Sequence, residues 1–136
     1  MSTETTRRVL QRYVDSKHTD LSVMADDVVF TNMTTGDESR GPEAVKQMLN
    51  YIYHTAFDAD AENTSLICDD GKAVLEGMFT GKHIGEFAGI PATGRSVRVP
   101  LAVIYDLEND KIKRARVYME MPVLFAQLGA SAARTG

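Results

Sequence analysis

Apolar positions in the first sixty residues recur at helical spacing, and from Glu62 onward they recur every second residue. In the first part, Val9, Leu10, Tyr13 and Val14 fall on one face of a helix predicted over 3–16, with Ser2 or Thr3 as cap and Glu4 at its positive end. A short helix over 20–25 carries Leu21 and Met24, and Val28-Val29-Phe30-Thr31-Asn32 reads as a compact strand. Thr34 to Ser39 has turn composition, and Gly41-Pro42-Glu43 opens a third helix with its proline in the first turn. Val45, Met48, Leu49, Ile52 and Ala56 form the buried stripe of that helix.

The shorter period predicts strands over 63–68, 72–83, 96–107 and 111–121, joined by hairpins at Asp69-Asp70-Gly71 and Glu108-Asn109-Asp110. Pro122 stops the last strand, and 123–128 makes one or two helical turns ended by Gly129. Helices followed by consecutive long strands imply an α+β fold, with the helices on one side of a curved antiparallel sheet. Gly77, Gly81, Gly85 and Gly89 recur along one strand and the loop after it, so the sheet is expected to bend there and to enclose a cone-shaped pocket. Residues 1–129 are read as one domain and 130–136 as a flexible tail. In the last strand Arg116, Tyr118 and Glu120 alternate with Val117, Met119 and Met121. The polar row is assigned to the cavity, and Val117 and Met119 to an outer face suited to a homodimer contact.

Composition narrows the partners. The net charge of −4 and pI near 5.3 argue against nucleic acid, because binding a phosphate backbone needs concentrated positive charge. No apolar run is long enough to cross a membrane and the first residues do not resemble a leader, so a cytoplasmic protein without membrane partners is expected. Cys68 stands alone, and His18, His54 and His83 lack paired-ligand spacing, so no metal site is expected.

Four short stretches carry a resemblance: His83 to Arg95 with its Pro-Ala-Thr-Gly turn, Lys111-Ile112, Tyr118-Met119-Glu120, and Gln127-Leu128-Gly129. Together they resemble the SnoaL-like polyketide cyclase family of the nuclear-transport-factor-like superfamily, which implies a cone-shaped α+β fold. In those cyclases an aspartate near the end of the last strand is the proposed general acid/base for an intramolecular aldol closure, and Glu120 occupies the matching position. The segment Gln11-Arg12-Tyr13-Val14 is also similar to ketosteroid isomerases, where a tyrosine hydrogen-bonds the substrate oxyanion. The isomerase base falls near Asn32, and an amide cannot abstract a proton.

The resemblance implies a cofactor-independent enzyme acting on a hydrophobic, carbonyl-containing small molecule. Glu120 and His83 are the candidate catalytic residues, and Tyr13, Asn32, Phe30, Phe79, Arg116 and Tyr118 the candidate substrate-binding ones. A non-catalytic binding module is the alternative, and a hydrolase or dehydratase would need a second carboxylate, for which Glu76 is the nearest candidate.

Overall fold

A computed structural model describes residues 2–129; the predicted tail at 130–136 lies outside the described residues. The elements, in chain order, are α1 (Thr3–Asp15), β1 (Met24–Asn32), β2 (Glu38–Arg40), α2 (Pro42–Asn50), β3 (Phe57–Asp69), β4 (Lys72–His83), β5 (Ser96–Glu108), β6 (Lys111–Met119) and α3 (Met121–Gln127). The predicted α+β class holds. The strands form one sheet in the order β2-β1-β6-β5-β4-β3, antiparallel throughout except that β1 runs parallel to β6.

Several boundaries differ from the sequence reading, each for a local reason. The expected helix at 20–25 is a single 3-10 turn, Leu21–Val23, capped by the Asp20 carboxylate, and the chain is already extended at Met24. The turn-rich stretch after Asn32 contains a short edge strand, β2, paired with β1 through Val29, Phe30 and Thr31. Residues Tyr51–Ala56 continue α2 as a π-helix, and β3 starts at Phe57 instead of near Asn63. The polar start of β3 hides it from any hydrophobic pattern, since Asp58, Asp60 and Glu62 alternate with small alanines.

α1 begins where the Ser2 hydroxyl accepts from the Thr5 N–H, at 3.1 Å. One turn on, the fully buried Thr6 donates its hydroxyl to the Ser2 carbonyl and accepts from the Gly71 N–H, both at 2.9 Å. This couples the first helix to the β3–β4 hairpin. Thr6→Val keeps the shape but leaves the Gly71 N–H without its partner in a half-buried site, and should lower unfolding free energy by about 1 kcal/mol in urea titration.

Two apolar clusters fill the interior. One gathers Leu10, Tyr13, Val28, Phe30, Val45, Leu75, Tyr105, Ile112 and Ala115 under α1 and α2. The other gathers Phe57, Phe79, Val97, Val99, Leu124 and Leu128 under α3. Between them the concave face of the sheet is left open.

Candidate functional site

That opening is a chamber of about 330 Å³. Its sheet wall comes from Leu75 and Phe79 on β4, Leu101, Val103 and Tyr105 on β5, and Val117 and Met119 on β6. All are odd-numbered and share one face of the sheet. The opposite wall is helical, with Tyr13, Met48, Leu49, Ile52 and Tyr53, and Phe87 of the loop after β4 leans over it. Asn32, Asp37 and Ser39 add polarity from β1, β2 and their connection.

The parity expected for β6 is therefore reversed. Val117 and Met119 line the chamber, Met119 also reaching the outer concavity, whereas Arg116 and Tyr118 face outward. Arg116 is held there by a 2.7 Å ion pair with Asp106, which also takes a 2.5 Å contact from Lys72. Burial works against the Asp106 carboxylate, but these hydrogen bonds hold its pKa below the ordinary range. Glu120 is exposed and lines a shallow concavity on the outer face with Glu76, Tyr118 and Thr34. Its backbone, not its carboxylate, is engaged: the N–H donates to Pro100 and the carbonyl accepts from Val123 and Leu124 at the start of α3.

His83 is fully buried and also lies outside the chamber lining. Its Nδ1 accepts from the Thr93 N–H at 3.1 Å and lies 2.9 Å from the Thr93 hydroxyl. Its backbone bonds Arg95 and Gly94, so the imidazole and main chain together cinch the base of the loop from Ile84 to Arg95. Within that loop Ala88, Gly89 and Gly94 have positive φ. The Gln-Leu-Gly ending has a similar structural account. The Gln127 amide accepts from the Arg98 N–H at 2.7 Å and donates to the Arg98 carbonyl at 2.9 Å, Leu128 is buried, and Gly129 takes the left-handed conformation after α3. The most distinctive sequence signatures thus fasten a loop and a helix around the chamber.

The remaining expected residues do meet in it. Tyr13 is 1% exposed, Phe30 and Phe79 are buried, and Asn32 sits at the rim. The Asn32 side-chain oxygen accepts from Thr34 and Thr35, which leaves its NH2 as the group free to face a ligand. The sequence reading missed Tyr105, His18 and Asp37. Tyr105 could have been found from strand parity with Val103 and Leu101; the other two stand in irregular segments without a pattern.

These side chains form an aromatic array. Tyr13 meets Tyr105 edge-on at 6.2 Å and His18 at 5.1 Å, His18 lies 5.4 Å from Tyr53, and Tyr53 lies 5.3 Å from Phe79. Burial raises the Tyr13 hydroxyl well above its ordinary pKa, with Tyr105 and Tyr53 adding to the effect. Burial likewise raises Tyr105 and pushes Tyr53 up to about 12. All three stay protonated and able to donate at any physiological pH. Among the described residues neither the Tyr13 nor the Tyr105 hydroxyl has a hydrogen-bond partner, and both residues line the chamber. Three His, Cys, Asp or Glu side chains placed to hold a metal ion occur nowhere among the described residues, and no described helix is long and apolar enough to cross a membrane.

A curved, unclosed sheet with helices over its concave face, enclosing an apolar chamber, is an α+β fold of the nuclear-transport-factor and ketosteroid-isomerase type. The chain belongs to the SnoaL-like polyketide cyclase family, whose profile matches residues 6–128. It superposes with a TM-score of 0.80 on a protein from Jannaschia sp. CCS1 assigned to the SnoaL-like polyketide cyclases, at 15% identity and with 94% of each chain covered. TsrD from Streptomyces laurentii gives 0.80 at 22% identity, covering 96% of this chain and 98% of its own. A protein with a ketosteroid isomerase-like fold from Catenulispora acidiphila DSM 44928, solved with trimethylamine, gives 0.74 at 15% identity over 94% of this chain and 97% of its own. At these identities the likeness is one of fold. No curated protein matches significantly in sequence.

Proposed function

We propose that the chain is a cofactor-independent acid/base enzyme of polyketide cyclase type, acting on a compact apolar molecule that carries a carbonyl group. The observation that carries this reading is the pair of buried tyrosines, Tyr13 and Tyr105, whose hydroxyls are unspent among the described residues and border an apolar chamber. Donors fixed in a dry site stabilise charge developing on a carbonyl oxygen far better than water-exposed ones, because no reorganisation is needed as the charge forms. The volume lies near the lower end of ligand pockets, roughly 300–1,000 Å³. It therefore favours a small ring system over an extended chain.

Glu120 fits the proton-transfer role poorly, since its exposed side chain borders the outer face of the sheet. That placement, with an amide at Asn32, gives a non-catalytic binding module some support as a second reading. Binding of 2-naphthol, an enol mimic followed by its own fluorescence, and deuterium exchange at the α-carbon of 2-tetralone in D2O separate the two. An enzyme binds the first and accelerates the second. Tyr13→Phe should slow exchange by about 10²-fold, and Glu120→Gln should leave it near wild type. Binding without exchange would establish the binding module; absence of both would remove the pocket from any such role.

A further inference from the structure

Proton transfer in the chamber needs a group that can accept a proton there, and few are present. Among the described lining residues the ionisable side chains are Tyr13, Tyr51, Tyr53, Tyr105, His18 and Asp37. The tyrosines are donors. Asp37 is exposed, on the connection between β1 and β2. His18 is half-buried, with its ring between those of Tyr13 and Tyr53.

Its placement is specific. Lys17 and His18 both have positive φ, 56° and 64°, a conformation that residues with side chains seldom adopt. The reversal is fixed by main-chain bonds from the Lys17 N–H to Val14 and from the His18 N–H to Tyr13, at 3.0 and 3.2 Å. It folds the chain after α1 back so that the imidazole sits beside the Tyr13 ring from the same helix. Backbone strain held in place by its surroundings and aimed at a cavity is a recurrent property of working side chains.

We infer that His18 is the general base of the chamber, taking the α-proton of a carbonyl compound whose oxygen is held by the Tyr13 and Tyr105 hydroxyls. This rests on the acid/base reading above and names the group that performs it. In the step, an unprotonated imidazole nitrogen accepts the α-hydrogen. The C–H electron pair becomes the enolate C=C bond, and the carbonyl π pair moves onto oxygen between the tyrosine donors. The imidazolium later returns its proton to carbon or to the newly formed alkoxide, so no oxidant or reductant is consumed.

The charged and titratable groups around His18 agree with this role. Tyr13 on α1 and Tyr53 on the π-helix remain neutral, and Asp60 on β3 is the nearby anion, itself 3.9 Å from Lys17. Burial lowers the imidazole below its ordinary 6.5, with Asp60 opposing the shift. The ring is therefore neutral and able to accept a proton at neutral pH, and activity should fall as pH drops through its lowered value.

The test uses His18→Asn, because asparagine tolerates the left-handed conformation but cannot take a proton. The substitution should slow 2-tetralone exchange by about 10²-fold or more, while 2-naphthol affinity and thermal midpoint stay near wild type. The acid limb of the pH–rate profile should vanish with it. In His18→Gly, added imidazole should restore exchange in proportion to its free-base concentration. His18→Asn exchange near wild type would overturn the inference. So would a loss accompanied by lost naphthol binding and no imidazole rescue, which would mark a structural role, or an Asp37→Asn loss with His18→Asn unaffected. If the wild-type protein catalyses no exchange, the acid/base reading itself fails, and this inference with it.

Discussion

Phe79→Ala should lower the free energy of unfolding by about 3–5 kcal/mol. Phe79 is fully buried on β4 at the point where the second apolar cluster meets the chamber wall. Its ring stands edge-on to Phe57 at 5.2 Å and 88°, and tilts against Tyr53 at 5.3 Å. Truncation removes the transfer energy of a whole ring and leaves Phe57 and Tyr53 without a face to pack on. The chamber already beside it gives the neighbours no dense wall to collapse against, so little of the loss is recovered. Equilibrium urea denaturation should show the midpoint falling with the slope unchanged. Phe79→Leu, which keeps most of the volume, should cost less than about 1.5 kcal/mol. An alanine variant within about 1 kcal/mol of wild type would show that the wall is not packed as described.

The second large effect comes from adding a single carbon. A Cβ built at Gly81 would stand 2.5 Å from the Asp58 carbonyl oxygen and 2.6 and 2.7 Å from Cβ and Cα of Ala59. These atoms belong to the paired strand β3, where Asp58 faces Lys82 and Ala59 faces Gly81 in register. No rotamer change can relieve the clash, because two of the three atoms are backbone and the third is an alanine methyl. Gly81→Ala must therefore push β3 away from β4 and should cost about 1–3 kcal/mol. The thermal midpoint should drop by several degrees. Gly89→Ala is the contrast: open space surrounds its Cβ, but φ is +80°, so any loss there reflects strain in the loop and not strand separation. Equal losses at both positions would contradict this account.

Much of the fold could be read from the sequence because its long strands are amphipathic in period two. β4, β5 and β6 fall close to the predicted segments, and α1 and the start of α2 follow their apolar stripes and caps. What escaped were segments held by tertiary partners. The first half of β3 is acidic and small, and is extended only because β4 pairs with it down to His83. β2 is three polar residues templated by β1. The parity of β6 was misjudged for a chemical reason. A polar row suggests a reactive pocket, but this chamber is mostly apolar, so it takes Val117 and Met119, and Arg116 finds its carboxylate outside. The cavity tyrosine Tyr13 was visible as a buried helix position. His18 was not, since its direction depends on two left-handed residues in a loop with no repeating pattern.

The parallel pairing of β1 with β6 sets the order in which this chamber can be assembled. β3, β4, β5 and β6 join by successive antiparallel contacts, but β1 has only β2 and β6 as sheet neighbours. On a ribosome, the segment bearing Phe30 and Asn32 would be synthesised early and then wait for Arg114 to Val117 before its backbone could be satisfied on that side. Until then its apolar face and one strand edge are open to other chains. A frameshift or premature stop before β6 would thus lose more than a strand: it would release the half of the chamber made first.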